Sequence, residues 1–308
     1  MDVPLVSICC ITYNHENYIR EAIEGFLMQK TNFFIEIIIH DDASTDGTSG
    51  IIQEYANKYP DLFITILQKE NQWSKDIRPS PTYVWPRARG KYIALCEGDD
   101  YWTDPYKLQK QVDFLEANDD FVLVGHLSQA NYENQAKPPE VYHKIKRGVL
   151  RKKDIFPSYL LQVASVMFRH DVLKKIDLSG IMGEHSMYIL LSQYGKFKVL
   201  PDVMSVYRIH DKGASGTSTP QIAYPGQMEW ISNLKRVMGR DFFWGYHFLS
   251  SKVHTYYAIK HPEVFTKGIL FKYYYFFKYA FLMVVLYPKN IRSVFRMIPE
   301  LIKSKTVE

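Results

Sequence analysis

Three short polar clusters carry residue types able to handle a charged, metal-bound substrate. They are Thr12-Tyr13-Asn14, Asp41-Asp42 and Asp99-Asp100, and each follows a short apolar run. Carboxylate pairs brought close together repel one another unless positive charge lies between them. A divalent cation with a diphosphate supplies that charge, because Mg²⁺ and Mn²⁺ commonly take one or two carboxylates plus phosphate oxygens. Asp and Asn are also ordinary turn residues, so one pair alone is as well explained by a turn; two pairs on strands of one parallel sheet point to a site. The three cysteines, Cys9, Cys10 and Cys96, sit in apolar runs without disulfide or zinc spacing. They read as small hydrophobes in a reducing cytosolic setting.

Such clusters need elements that hold strand ends side by side. Residues 5–11, 34–39, 62–67, 91–96 and 121–124 are short, nearly continuous apolar runs, the pattern of strands buried on both faces. Helical spacing separates them: Ile19, Ala22, Ile23, Phe26 and Leu27, then Ile51, Ile52, Tyr55, Ala56 and Tyr59. A third helix is predicted from Asp104 as N-cap and Pro105 as its first residue, with Leu108, Val112 and Leu115 inward. Residues 68–90 read mostly as loop. The alternation predicts an α/β fold, a mostly parallel central sheet flanked by helices. In such sheets ligands bind beyond the carboxyl ends of the strands, where the three polar clusters fall.

The order and spacing of Pro4-Leu5-Val6-Ser7-Ile8, Thr12-Tyr13-Asn14, Asp41 to Thr48, Gly90-Lys91-Tyr92-Ile93 and Gly98-Asp99-Asp100 resemble family 2 glycosyltransferases over residues 4–212. The resemblance implies a GT-A fold with a Rossmann-like nucleotide-binding half, and transfer of a sugar from a nucleotide-diphospho-sugar with inversion. It implies Thr12, Tyr13 and Asn14 at the nucleoside, Asp42 on the base (N3–H of uracil in a UDP-sugar), Asp99 near the ribose and Asp100 on Mg²⁺ or Mn²⁺. The family's catalytic base falls on Glu184, where relatives often have Asp, with His185 as a competitor that could also serve the acceptor. Val206 to His210 matches a further signature, which puts His210 near metal or phosphate and Arg208 in a structural or phosphate-binding role. Among Arg78, Arg87 and Arg89, Arg78 is the expected diphosphate contact. Trp102 is the expected acceptor-stacking aromatic, and Gly213 to Gly216 a loop able to close over the donor.

The second half is less regular. Residues 184–194 read as a helix and 199–206 as a strand, which divides the chain into a nucleotide-sugar half (1–126), an acceptor and catalytic-base half (127–215) and a helical C-terminal extension (216–308). Of the formal net charge of +5, residues 252–308 hold ten Lys/Arg against three Glu, so the basicity belongs to the tail and not to the strand ends. That distribution disfavours nucleic acid as a partner. Residues 269–298 mix aromatic, aliphatic and basic residues without a span long enough to cross a bilayer. They suit a membrane interface, with packing in an oligomer as the alternative use. With no signal sequence at Met1-Asp2-Val3-Pro4, the expected place is the cytoplasmic face of a membrane, the acceptor a saccharide or lipid-linked saccharide, and the role polysaccharide or other glycan biosynthesis. Two rivals stand beside this. Nucleotidyl transfer usually wants a Gly-rich basic loop after strand one, which Thr12 to Asn17 is not; a degenerate nucleotide- or membrane-binding member would not need to keep Asp42, Asp99, Asp100 and Glu184.

Overall fold

β1 (Val6–Thr12), β2 (Ile35–Asp41) and β4 (Tyr92–Leu95) are buried along almost their whole length, as strands covered by helices on both faces must be. In the computed structural model, which describes residues 3–133, 137–142, 148–155, 161–178, 183–210, 220–264 and 269–286, these strands run parallel with β1 in the middle. β3 (Phe63–Leu67) extends them beyond β2, also parallel. On the other side β9 (Met167–Arg169) pairs antiparallel with both β4 and β6 (Phe121–Tyr132). β10 (Lys196–Ile209) follows, parallel to β6, and then β5 (Tyr101–Trp102), antiparallel to β10. The strand order is β3-β2-β1-β4-β9-β6-β10-β5, with the short β7 (Glu140–Val141) on β6 and β8 (Val149–Leu150) on β10.

The core forms where α1 (Ile19–Leu27) lays Ile19, Ala22, Ile23 and Phe26 on the sheet, joined by Ile52 and Tyr55 of α2 (Thr48–Lys58) and by α3 (Lys107–Glu116). α3 starts later than Asp104-Pro105 suggests. The Asp104 carboxylate accepts the Tyr106 N–H at 2.8 Å, and Pro105 gives its carbonyl to Lys30 N–H at 2.7 Å. An Asx-type turn thus comes before the first helical residue. β6 and β10 are also longer than their apolar runs, because each supplies the other's ladder through register shifts between Leu200 and Ser205, beside Pro201, which has no N–H to donate. β6 runs across residue 126, so the two expected halves share a strand. The predicted loop at 68–90 contains short helical turns at Trp73–Lys75, Ser80–Val84 and Trp85–Arg87.

The chain divides into two compact units, Met1–Leu178 with Met187–Asp211, and Ser179–Ser186 with Lys212–Glu308. The first holds the sheet, with α4 (Lys152–Ile155) and most of α5 (Glu184–Leu191). The second is helical: α6 (Pro220–Met238), α7 (Phe243–Lys260) and α8 (Ile269–Leu286). α8 buries Phe276, Tyr279, Leu282 and Met283, with Phe248 of α7 at 5.6 Å from the Tyr279 ring. Among the described residues no helix is long and apolar enough to cross a membrane.

Candidate active site

The three polar clusters meet around Thr12. In the β1–β2 register Thr12 lies opposite Asp41, and its carbonyl accepts the Asp42 N–H at 3.0 Å. From the other side Gly98 N–H reaches the Ile11 carbonyl at 2.9 Å. A Cβ on Gly98 would stand 2.5 Å from Thr12 Oγ1 and 2.7 Å from Thr12 Cβ, so only glycine lets the acidic turn come this close. Asn14 and Ala43 both adopt left-handed backbone, φ 55° and 64°. Asn tolerates that region, whereas Ala43 holds it at a cost of about 1 kcal/mol or more. The Asn14 side chain secures the turn by accepting Thr45 N–H at 2.8 Å, while Asn14 N–H goes to Ser44 Oγ at 2.8 Å. Asp41 is equally committed, accepting the hydroxyls of Ser44 and Ser49.

At the end of β4, Glu97, Asp99 and Asp100 each offer an oxygen within 4.8 Å of the others. Asp100 is 1 % exposed. Burial first, and then the neighbouring Asp99 charge, push its carboxyl well above the ordinary range, against the Arg208 backbone N–H that it accepts at 3.0 Å. Asp99 goes the other way. Burial would raise it, but the hydrogen bond from His210, the charge of His15 and backbone donors together hold it below its usual value. His210 Nε2 lies 3.1 Å from Asp99 Oδ2, and that bond raises the His210 pKa in spite of burial. His15 Nε2 stands 3.7 Å from the same oxygen, and burial lowers its pKa.

This donor set fits a hard divalent cation. It has clustered carboxylate oxygens, and the Nδ1 atoms of His210 and His15 and the Thr12 hydroxyl are buried without a hydrogen-bond partner among the described residues. With His210 Nε2 bonded to Asp99, its neutral ring presents a free lone pair on Nδ1, the arrangement that carboxylates impose on ligating imidazoles. Arg208 serves the scaffold. Its guanidinium donates to the Asp99 carbonyl at 2.6 Å, pairs with Glu21 of α1 and lies over the Tyr101 ring at 4.4 Å.

Other expected residues are sorted by their partners. Both Asp42 oxygens accept backbone N–H groups, from Gln72 at 2.8 Å and Trp73 at 3.0 Å, so this carboxylate holds down the following loop. Arg87 donates to the Tyr83 carbonyl and Arg89 pairs with Glu36, whereas among the described residues the Arg78 guanidinium has only the Trp73 ring, 4.1 Å away. Tyr13 is 43 % exposed. Trp102 corrects an expectation. It is 2 % exposed, donates to the Ala164 carbonyl at 2.8 Å and packs between Phe26 and the Lys107 ammonium, so it belongs to the core and presents no face to an acceptor. Two residues past the acidic pair, the chain is already in β5 and pairs with β10, which turns the indole inward.

Glu184 opens α5 half-buried and without a hydrogen bond or ion pair among the described residues, while His185 packs against the Trp230 ring at 5.4 Å. Residues 211–219, including the expected closing loop at Gly213 to Gly216, lie outside the described residues. His15, Glu97 and Glu21 belong to the constellation and were not legible as such. The adjacency of His15 to Asn14 and of Glu97 to Gly98 signalled the first two, and nothing in the sequence signalled Glu21. The cysteines are buried and free, with burial as the leading cause that raises each thiol.

Residues 7–177 match the family model described as glycosyl transferase family 2. An uncharacterized protein of Mycobacterium tuberculosis (strain ATCC 25618 / H37Rv) is 40 % identical over 209 residues, covering 68 % of this chain and 60 % of the relative; the chain thus spans about three-fifths of that relative's length. Among solved structures, Staphylococcus aureus TarS 1-349 in complex with UDP-GlcNAc superposes with a TM-score of 0.65 at 14 % identity, over 97 % of this chain and 88 % of that one. The mannosyltransferase PcManGT of Pyrobaculum calidifontis, in complex with GDP-Man and Mn²⁺, gives 0.54 at 15 % identity, over 98 % and 86 %. Fold, strand-end carboxylates and family model agree: the chain has a GT-A-type fold and belongs to glycosyl transferase family 2.

Proposed function

We propose that this chain is an inverting glycosyltransferase that moves a sugar from a UDP-sugar to an acceptor hydroxyl in the building of a polysaccharide or other glycan. One observation carries the proposal: Glu97, Asp99 and Asp100, two imidazoles and the buried Thr12 hydroxyl gather at the carboxyl ends of parallel strands. Thr12, Tyr13 and Asn14 border the nucleoside. Asp42 has lone pairs beyond the two spent on the loop, and offers one to a base N–H. Asp99, oriented by His210, faces the ribose, while Asp100 and His210 would hold Mg²⁺ or Mn²⁺. Arg78 stacks on the Trp73 ring, 4.1 Å away, in the loop that borders the donor.

When bound, the cation stabilises negative charge developing on the leaving diphosphate. The chain's own part is to orient the donor and to receive one proton. As the acceptor oxygen bonds to the anomeric carbon, the bond to phosphate breaks and its electron pair leaves with the nucleoside diphosphate. The Glu184 carboxylate takes the acceptor's hydroxyl proton. Glu184 is preferred to His185 because it has no described partner, whereas His185 is engaged with Trp230. The exposed apolar row of α8, Tyr274, Phe277, Phe281, Val284 and Val285, supports peripheral membrane contact through 269–298, and hence a lipid-linked saccharide acceptor.

Nucleotide release measured across a panel of UDP-sugars tests the reaction. Mn²⁺-dependent UDP release is expected, and loss of about 100-fold or more in Asp100→Ala and in Glu184→Ala. UDP release that persists in Asp100→Ala would remove the metal assignment. Release of pyrophosphate from a sugar phosphate and UTP would establish nucleotidyl transfer instead.

A further inference from the structure

The segment that crosses from β3 to the turns before β4 is built tightly, yet it exposes a tryptophan. Trp73 is 50 % exposed, although large aromatics usually bring their area to the interior. Its surroundings are fixed. Ser74 N–H bonds to the Asn71 side chain at 2.7 Å, and Ile77 N–H closes on the Gln72 carbonyl at 3.1 Å. Gln72 is held in turn by the Tyr83 hydroxyl at 2.9 Å, and Asp76 accepts left-handed backbone, φ 59°, to complete the turn. The whole turn hangs on Asp42, whose carboxylate takes the N–H groups of Gln72 and Trp73. Arg78 covers one face of the indole at 4.1 Å, and the other face meets no ring or cation among the described residues.

We infer that the Trp73 indole, backed by Arg78, is an aromatic wall of the donor site that stacks on the nucleobase and contributes to the choice of nucleotide. The inference rests on the donor reading above and adds a residue to it. A flat, preformed π-surface registered by one residue to the carboxylate proposed to read the base suits a planar heterocycle, and nothing in a diphosphate or a sugar hydroxyl needs it. Arg78 on the far face leaves the indole sandwiched between a cation and a base, an arrangement that favours both stacks. Asp42 then does two things: its backbone and side chain hold Thr12, next to exposed Tyr13, and Trp73 at fixed separations from one carboxylate.

Calorimetric titration of the full chain with UDP, GDP and inorganic pyrophosphate, each with Mn²⁺, separates stacking from phosphate binding. Trp73→Ala is expected to weaken UDP binding about 10-fold, in the range of one base–aromatic stack. It should leave pyrophosphate affinity and the thermal midpoint unchanged, and Trp73→Phe should recover most of the loss. Unchanged UDP affinity in Trp73→Ala, or pyrophosphate affinity falling by the same factor, overturns the stacking role while leaving the donor reading intact. A wild-type chain that binds neither UDP nor GDP overturns both.

Discussion

The carboxyl edge of the parallel strands and the face of α8 use their residues in opposite ways. At the edge, charged groups are buried or half-buried and cross-linked: Asp41, Asp42, Asp99, Asp100 and Arg208 each have two or more specific partners or a hydrogen bond to another member of the set. On α8 the outward residues are apolar, with Phe277 and Phe281 at 64 % and 63 % exposed, while an equally apolar face packs on α7. Folding therefore uses the polar edge as structure and leaves the apolar face unspent. A buried charge without its partner is expensive, so an acidic edge survives only where its hydrogen bonds are complete or a cation is at hand. An exposed aromatic row adds little to the stability of the isolated chain, and its value lies in what covers it.

Asp42→Ala attacks the contrast where it is strongest. It leaves the Gln72 and Trp73 N–H groups without an acceptor, and the expected loss of unfolding free energy in urea is about 2–6 kcal/mol, taking about 1–3 for each of the two orphaned donors. A loss below about 1 kcal/mol would show that water replaces the carboxylate and that the residue is kept for ligand alone. A smaller effect is expected from His210→Gln, and its pH dependence sharpens the comparison. Folding raises His210, so its share of stability is fully present below the free imidazole value of 6.5 and is lost as pH climbs through the raised value. Asp99 is lowered, so its share is present above the free carboxyl value of 3.8 and is lost as pH falls through the lowered value. Melting curves in EDTA should thus show a wild-type advantage at about pH 6 that narrows towards about pH 9. A gap that widens with pH would contradict the His210–Asp99 bond. The smallest stability effect belongs to α8: Phe277→Ser with Phe281→Ser should change unfolding free energy by less than about 1 kcal/mol in total. The same pair should abolish co-sedimentation with anionic phosphatidylglycerol vesicles. Wild-type protein that ignores such vesicles, or a double variant that unfolds, would mean that this face is covered by protein.

Much of the site was legible because parallel strands translate sequence position into spatial position. A polar residue that ends an apolar run lands at the carboxyl edge, so Thr12, Asp41, Asp42, Asp99 and Asp100 could be placed together from spacing alone. What a residue does once there was less legible. Trp102 follows the acidic pair closely enough to suggest a ligand contact, but pairing of β5 with β10 turns it into the core. His15 and Arg208 lie far apart in the chain; His15 reaches Asp99 because β1 lies beside β4, and Arg208 reaches Asp100 because β10 pairs with β5. In α8, hydrophobic residues occupy every face, so periodicity carries no inside or outside; packing on α7 decides it.

By itself the sequence determined the family, the alternation that builds a parallel sheet, and which side chains stand at its strand ends. These depend on local spacing and on the period of apolar residues, which the chain carries wherever it goes. Only the tertiary structure decided which of those side chains are free for a ligand. Asp42 and Asn14 spend hydrogen bonds on the loops, Arg78 rests on an exposed indole, and His210 keeps one nitrogen open because Asp99 occupies the other. A hydrogen-bonding group has a limited number of partners, and residues distant in sequence determine how many are already taken.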